Sequence, residues 1–294
     1  MALKPSNSDY TSVMRKMSTQ DMDQFSDASP EPDDVNTSSP FLGRKESNAA
    51  PGETFEHHQE DPANFSSILK DLRASLPKDS QATDDVLTRF LRAREYKVKE
   101  AVKMYWRWKT FRDQWGIDDI RYEDVERLAS TKLGYFHGHD LVGRPTCVLL
   151  PRNYHPSTTE VGEVVKFTLW LMNNGIAQAD EMKASGKFPE NYDGQVSILY
   201  DRRGMTRKNF DHRLFSLMRT ITDIVQICYA ERMGKIYVLG TNWFYHMMFR
   251  IISPLLSKKT REKVCVLKEP SDLLKYFDET QLERERLDTE QQWE

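Results

Sequence analysis

The sequence predicts an α/β fold in which helices connect the strands of a largely parallel sheet, behind a small all-helical region and a disordered tail. Short apolar runs such as Ile236–Leu239 alternate with long segments of helical period in the second half of the chain, the pattern of strands joined by crossover helices. Before them comes a block of helical periods without strands. The first 62 residues show no apolar period.

Composition divides the chain into regions. Residues 1–62 hold five Lys or Arg against twelve Asp or Glu and six of the thirteen prolines, so we expect a disordered acidic tail with a possible protein partner. We expect a helical region over 63–131, a main domain over 132–282 and a polar tail over 283–294. Without residues 1–62 the chain carries a net charge of about +4 from its printed composition, which weakly suits an anionic membrane surface.

The chain lacks an apolar leader and lipidation signals, so we expect a cytoplasmic protein that associates peripherally with membranes. Its cysteines are odd in number and widely spaced in apolar runs, and we expect free, buried thiols at Cys147, Cys228 and Cys265.

The helical region contains four segments with apolar residues at helical spacing. The first ends before Pro77, and the third is followed by Gly116 as a C-cap. The periods predict helices over Phe65–Leu76, Thr83–Arg94, Val98–Trp115 and Glu123–Ser130.

The main domain begins where the period changes, at Leu133. Apolar runs predict strands over Thr146–Leu150, Ser197–Tyr200, Ile236–Leu239 and Val264–Leu267. Helical spacing predicts long helices over Thr159–Lys183 and Asn209–Glu231, and short helical segments over Ser271–Phe277 and Thr280–Leu287.

The segment Trp243–Leu256 is unusual because apolar side chains occupy nearly every helical position. It is interrupted by Arg250 and Pro254 and is shorter than the ~20 residues of a membrane span. A basic turn, Ser257–Lys263, follows it. Apolar bulk beside cations is typical of a helix that meets anionic headgroups, and the alternative is ordinary packing in a core.

Several segments in one order carry a family resemblance. Tyr229–Val238 (YAERMGKIYV), Asn242–Phe244, Pro254–Leu256 and Lys259–Lys263 resemble the core of the CRAL-TRIO lipid-binding family, most closely its phosphatidylinositol transfer branch. Leu91–Tyr96 resembles the signature of that family's amino-terminal helical region. The resemblance covers residues 64–282 and implies a sheet and helices that enclose a lipid cavity. The sequence departs from the family after residue 282, so how the domain is sealed there stays open.

The resemblance implies a site for an inositol phosphate headgroup. The family positions read Arg94, Glu231, Thr260 and Lys263 in this chain. The chemistry suits the ligand, because Arg and Lys donate to phosphate and a carboxylate accepts from inositol hydroxyls. The alternative is a structural ion pair for Arg94 and Glu231 and a solvated helix end for Lys263.

The resemblance further implies a gating helix that opens at a membrane, with Gly234 and Gly240 as candidate hinges. Its apolar contact residues would be Trp243, Phe244, Tyr245, Met247, Met248, Phe249, Ile252, Leu255 and Leu256. Relatives that carry phosphatidylcholine use hydroxyl groups around the choline phosphate. This chain has no hydroxyl at the aligned positions Cys147, Met172, Val196 and Ile198, which predicts weak phosphatidylcholine binding.

Other function classes find less support. No G-x-G-x-x-G, P-loop or G-x-S-x-G motif indicates an enzyme, and His137 and His139 alone are a weak metal signal. A carrier of an apolar sterol or isoprenoid ligand and a lipid-sensing scaffold remain alternatives. We therefore expect a monomeric protein without catalytic residues, metal or cofactor, whose partners are a phospholipid, phosphatidylinositol, and transiently a membrane surface, with no nucleic acid.

Overall fold

The computed structural model describes residues 61–186, 194–210, 213–241, 245–246, 249–250, 253 and 258–288. All of them belong to one unit of the chain, Thr54–Glu294. The predicted acidic tail lies outside the described residues, apart from its last two positions.

The front of the described chain is helical, as predicted. Thr83 caps the second helix, where its Oγ1 accepts from the Val86 amide at 3.3 Å, and Gly116 ends the third with a φ of 53°. The fourth helix is shorter than predicted, because residues 122–124 form a 3₁₀ turn before it. The helices are α1 (Phe65–Ala74), α2 (Asp84–Ala93), α3 (Val98–Trp115) and α4 (Glu126–Ala129).

In the described part of the chain, one sheet of five strands follows, with the strands side by side in chain order. The first pair is antiparallel and the other three pairs are parallel, which confirms the predicted fold class. The strands are β1 (Gly134–His139), β2 (Pro145–Leu149), β3 (Val196–Asp201), β4 (Met233–Leu239) and β5 (Val264–Val266). Two long helices make the crossovers: α5 (Val161–Ala184) between β2 and β3, and α6 (Arg213–Cys228) between β3 and β4.

Strand β1 was not predicted as an element. Its sequence, GYFHGH, lacks the continuous apolar run that marks the parallel strands, since it forms the antiparallel edge. Gly138 has a φ of 58°, and a Cβ there would lie 2.2 Å from the Gln281 carbonyl oxygen. A close backbone approach thus explains this glycine.

Helix α6 is shorter at both ends than the predicted Asn209–Glu231. At its front, Arg207–Asn209 forms a 3₁₀ turn because the Asn209 side chain donates to the carbonyls of Arg152 and Tyr154, at 2.8 and 2.9 Å. At its end, Glu231 adopts a left-handed φ of 56° immediately before β4, so it cannot continue the helix.

One face of the sheet is a closed apolar core. Val148, Leu199 and Tyr237 from neighbouring strands pack there against Leu273 and Phe277 from the carboxyl-terminal segment. A short helix, α7 (Lys258–Glu262), precedes β5. The carboxyl-terminal segment after β5 consists of the 3₁₀ turns Pro270–Lys275 and Glu279–Gln281 and of helix α8 (Arg284–Leu287). The predicted helical segments are thus mostly 3₁₀ turns.

The carboxyl-terminal segment is fixed by a buried ion-pair cluster. Arg286 is 2% exposed, and its Nη1 donates to the Asp201 carboxylate at 2.5 Å. The same carboxylate, with no exposed surface, accepts from Arg203 Nε at 2.9 Å and lies 3.5 Å from Arg152 Nη1. Residues 283–288 of the predicted polar tail are described, and from this stretch Arg286 reaches back to the sheet.

The opposite face presents apolar side chains that are less well covered. Strand pairing aligns one row across all five strands: Phe136, Cys147, Ile198, Ile236 and Val264. Helix α5 covers the β1 end, where a Cβ at Gly175 would lie 2.0 Å from the Phe136 ring. Towards β5 the cover thins: Ile198, Ile236 and Val264 are half-buried, and Val266 is 40% exposed.

Candidate functional site

Arg94 lies at the C-cap of α2, in a turn of unusual backbone conformation. The two residues that follow it, Glu95 and Tyr96, both have left-handed φ values, 50° and 61°. Such conformations cost about 1–3 kcal/mol each and cluster at functional sites. The Arg94 guanidinium is half-buried and donates to the Ala93 carbonyl at 3.0 Å.

The neighbouring Arg92 has a different role. Its guanidinium binds the Asp61 carboxylate through two bonds of 2.7 and 2.9 Å, and the same carboxylate accepts from the Tyr96 hydroxyl. The hydrogen bond to Asp61 raises the pKa of Arg92. By contrast, Arg94 forms no ion pair with any residue that the structure describes. Arg92 therefore links α2 to Asp61, whereas Arg94 has no carboxylate partner among the described residues.

Glu231 is placed near Arg94 by the turn between α6 and β4. Burial and the charge of Arg107 lower the pKa of Arg94, while the carboxylates of Glu100 and Glu231 act in the opposite direction. Ala230, next to Glu231, packs into the apolar core formed by α1, α2 and α3. The residues predicted from two distant motifs are thus brought to one region without forming the ion pair of the alternative interpretation.

We expect two substitutions of Glu231 to differ in stability. Because its φ of 56° disfavours any side chain with a Cβ, Glu231→Gly should be more stable than Glu231→Ala by about 1 kcal/mol. Urea unfolding of the two variants measures the difference. Equal stability would show that the turn relaxes when the carboxylate is removed.

Lys263 lies between α7 and β5, and its ammonium points towards the start of β4. Its Nζ donates to the Met233 carbonyl at 2.5 Å, two residues beyond Glu231, while its own carbonyl accepts from the Ile236 amide at 2.9 Å. A bond to a neutral carbonyl fixes the ammonium without neutralising its charge. Thr260 is half-buried in α7, and its carbonyl accepts from the Lys263 amide at 3.2 Å. Glu231, Thr260 and Lys263 therefore gather at the amino ends of β4 and β5.

The four positions predicted to have lost hydroxyl groups lie on or beside the less covered face of the sheet. Cys147 and Ile198 are direct partners across β2 and β3, Val196 begins β3, and Met172 is buried in α5. Burial raises the pKa of the Cys147 thiol to about 12. The three cysteines are free, as predicted, but only Cys147 is fully buried.

Most of the predicted gating helix lies outside the described residues, namely Trp243, Phe244, Met247, Met248, Ile252, Leu255 and Leu256. Tyr245 and Phe249 are described, and their rings stack with centroids 5.7 Å apart. Gly240 has a φ of 75° at the end of β4. Gly234, the other candidate hinge, lies inside β4, where a Cβ would be 2.6 Å from Arg144 Cδ, so close packing explains this glycine.

Sequence reasoning missed two features around this region. A cavity of about 500 Å³ lies between α2, α3, α5 and the end of α6, but its arginines are already paired: Arg89 with Asp85, Arg112 with Asp118 and Arg232 with Asp180. The second feature is Arg202, a buried cation beyond the end of β3. The signal in the sequence that could have indicated its burial is its position directly after the apolar strand β3.

The weak metal signal of the histidine loop has a structural explanation. Asp140 is buried and accepts from the Arg144 amide at 3.0 Å and from the Ser197 hydroxyl at 2.7 Å. Within the described ranges, no group of three His, Cys, Asp or Glu side chains is placed to hold a metal ion. None of the helices in the described part of the chain combines the length and apolar character of a membrane span.

Comparisons with known proteins identify the family of the chain and support its fold. The family model described as CRAL/TRIO domain matches residues 129–286, and the model described as CRAL/TRIO, N-terminal domain, matches residues 54–105. The chain is 27% identical over 218 residues to the Sec14 cytosolic factor of Schizosaccharomyces pombe, which covers 68% of this chain and 72% of that protein. It is 28% identical over 244 residues to Patellin-4 of Arabidopsis thaliana, covering 76% of this chain and 42% of the relative. The solved structure of Sfh5 is similar, with a TM-score of 0.55 and 15% identity over 71% of this chain and 78% of that one.

Proposed function

Because the chain belongs to the CRAL/TRIO domain family, we propose that it binds phosphatidylinositol and transfers it between membranes. Lipid binding is the function that this membership supports. The observation that carries the finer proposal is the position of the Lys263 ammonium, 2.5 Å from the Met233 carbonyl and beside the turn that holds Glu231. It supports a polar site of mixed charge at one edge of an otherwise apolar sheet.

In the proposed site, hydrogen-bond donors bind the phosphate of the headgroup and an acceptor binds its inositol ring. Arg94 and Lys263 donate to the phosphate, and Thr260 adds a hydroxyl. Glu231 accepts from inositol hydroxyls, which a headgroup without hydroxyls cannot supply. Arg92 takes no part, because Asp61 already occupies its guanidinium.

The acyl chains lie along the less covered face of the sheet. The half-buried side chains of Ile198, Ile236 and Val264 offer them an apolar surface. A choline phosphate near Cys147 and Ile198 would lose its hydrogen-bond donors, at about 1–3 kcal/mol for each unmet group. The protein therefore discriminates against phosphatidylcholine.

Exchange takes place at the membrane surface. Burial of acyl chains at about 0.8 kcal/mol per methylene makes release into water slow, so the segment 242–256 opens in contact with lipid. Gly240, with its left-handed backbone at the start of this segment, is the proposed hinge. The protein acts from the cytoplasm as a peripheral monomer that carries phospholipid as a ligand and performs no catalysis.

The test is transfer of labelled phosphatidylinositol and phosphatidylcholine between vesicles, combined with native mass spectrometry of the purified protein. We expect phosphatidylinositol at about one per chain and transfer at least about tenfold faster than that of phosphatidylcholine. Equal rates would contradict the proposed discrimination. A protein that carries only neutral lipid would overturn the headgroup site and favour a carrier of apolar ligands.

A further inference from the structure

Arg202 is a buried cation for which the described residues supply no counter-charge. Arg202 is 6% exposed, and its Nη1 is buried without a hydrogen-bond partner. No described carboxylate forms an ion pair with it: the adjacent Asp201 binds Arg203 and Arg286 instead. An arginine does not lose its charge in a protein, so this arrangement is unfavourable unless something compensates the charge.

The guanidinium lies on the less covered, apolar face of the sheet. Alternate residues of a strand share a face, and the Arg202 amide continues the ladder by donating to the Leu239 carbonyl at 2.9 Å. Arg202 is therefore on the same face as Ile198 and Tyr200. The pKa of Tyr200 supports this placement, because burial raises it while the nearby charge of Arg202 acts to lower it.

Among the described residues, two tyrosines contact the Arg202 side chain: Tyr200 as a hydrogen-bond partner, and Tyr245 through its aromatic ring. The Arg202 guanidinium carbon lies 4.9 Å from the centre of the Tyr245 ring, in the segment proposed to open at a membrane. Such a cation–π contact compensates part of the charge, but it offers no acceptor for Nη1. The place beside Arg202 is thus suited to an anionic oxygen group.

The position is distinct from the inositol phosphate site. Arg202 follows the carboxyl end of β3, whereas Glu231 and Lys263 lie at the amino ends of β4 and β5. Strands of six or seven residues at ~3.3 Å per residue separate the two ends by about 20 Å. In open parallel sheets the carboxyl ends of the strands are the usual place for ligands.

We propose that Arg202 binds the anionic group of a second ligand, an acidic amphiphile whose hydrocarbon chain lies along the apolar row of the sheet. The shared chemistry is a carboxylate or a phosphate monoester on a hydrocarbon chain. A guanidinium can donate two parallel hydrogen bonds to the oxygens of either group, in an environment that excludes water. This extends the proposed lipid binding to a second class of ligand.

The test compares ligands that match in their chains and differ in charge. Oleate against methyl oleate examines the carboxylate, and dioleoylphosphatidic acid against dioleoylglycerol examines the phosphate. Binding of each to the full chain is measured by titration calorimetry or by native mass spectrometry. We expect wild type to favour at least one acid over its neutral counterpart by about 10–100-fold, and Arg202→Met to reduce that preference to below about threefold.

Lys208→Met is the matched control, because it removes a cation from an exposed position in the following turn. It should keep the preference of wild type. If Arg202→Met does not fold, the wild-type comparison decides: no preference for either acid overturns the proposal. An unchanged preference in Arg202→Met overturns it as well and leaves Arg202 as a packing partner of Tyr245.

Phosphatidylinositol binding by the same preparations separates this proposal from the proposed function. Arg202→Met should retain bound phosphatidylinositol like wild type, as measured by native mass spectrometry, because the inositol phosphate site is at the other end of the strands. Phosphatidylinositol binding without an acid preference refutes the second ligand alone. An acid preference that depends on Arg202, in a protein that does not bind phosphatidylinositol, refutes the headgroup proposal alone.

Discussion

Replacement of Asp201 by alanine should destabilise the protein by about 3–5 kcal/mol, since it removes the carboxylate that the buried Arg286 shares with Arg203. Asp201 has no exposed surface and accepts from both Arg203 and Arg286. Arg286 is 2% exposed, so water cannot replace the lost partner. Urea denaturation at neutral pH measures the loss.

The control is the double variant Asp201→Ala with Arg286→Met, in which one of the stranded charges is removed as well. It should be more stable than Asp201→Ala alone, because an apolar chain of similar length can fill the site without a partner. A double variant that loses as much as the sum of the two single losses would contradict a direct coupling of these residues.

The same cluster predicts a dependence on pH. Burial alone would raise the pKa of Asp201, but the hydrogen bonds and charges of Arg203 and Arg286 outweigh it and hold the pKa below its ordinary value. A carboxyl with a lowered folded pKa stabilises the protein above its unfolded pKa of about 4, and this contribution is lost as the pH falls. We expect the unfolding free energies of wild type and Asp201→Asn to converge below about pH 4.

Replacement of Lys263 by alanine should weaken phosphatidylinositol binding by about 10–100-fold, the effect of removing a charge-assisted bond to phosphate. The ammonium is held at the start of β4 by the Met233 carbonyl, so its position does not depend on the ligand. Lipid occupancy by native mass spectrometry and the rate of transfer between vesicles both report the loss.

Arg261→Ala is the matched control, because Arg261 belongs to the same basic turn but is exposed. If attraction to an anionic membrane were the role of these cations, both variants would slow transfer from anionic vesicles to the same extent, and neither would lose bound lipid. A selective loss of bound phosphatidylinositol in Lys263→Ala supports the headgroup site. Full occupancy in that variant would exclude Lys263 from it.

Local patterns were enough for most elements. Val98–Trp115 with its Gly116 cap is found as predicted, since apolar spacing and a left-handed cap are properties of neighbouring residues. The parallel strands were recognisable because burial on both faces requires continuous apolar runs. β1 escaped notice because an edge strand needs no such run. The 3₁₀ turn at Arg207–Asn209 escaped notice because remote carbonyls hold Asn209.

In the candidate site too, some features follow from the local sequence and others only from contacts between distant residues. The sequence alone determined the fold class through its apolar spacing, and its resemblance to a family predicted an inositol phosphate site at Arg94, Glu231 and Lys263. Only the tertiary structure decided that Arg92 is held by Asp61 and that Arg286 reaches the sheet from a stretch that reads as polar. It also decided that Arg202 is buried without a carboxylate partner among the residues that the structure describes. The physical reason is that the free energy of a charge depends on its partners and on its exposure to water, and residues far apart in the chain supply both.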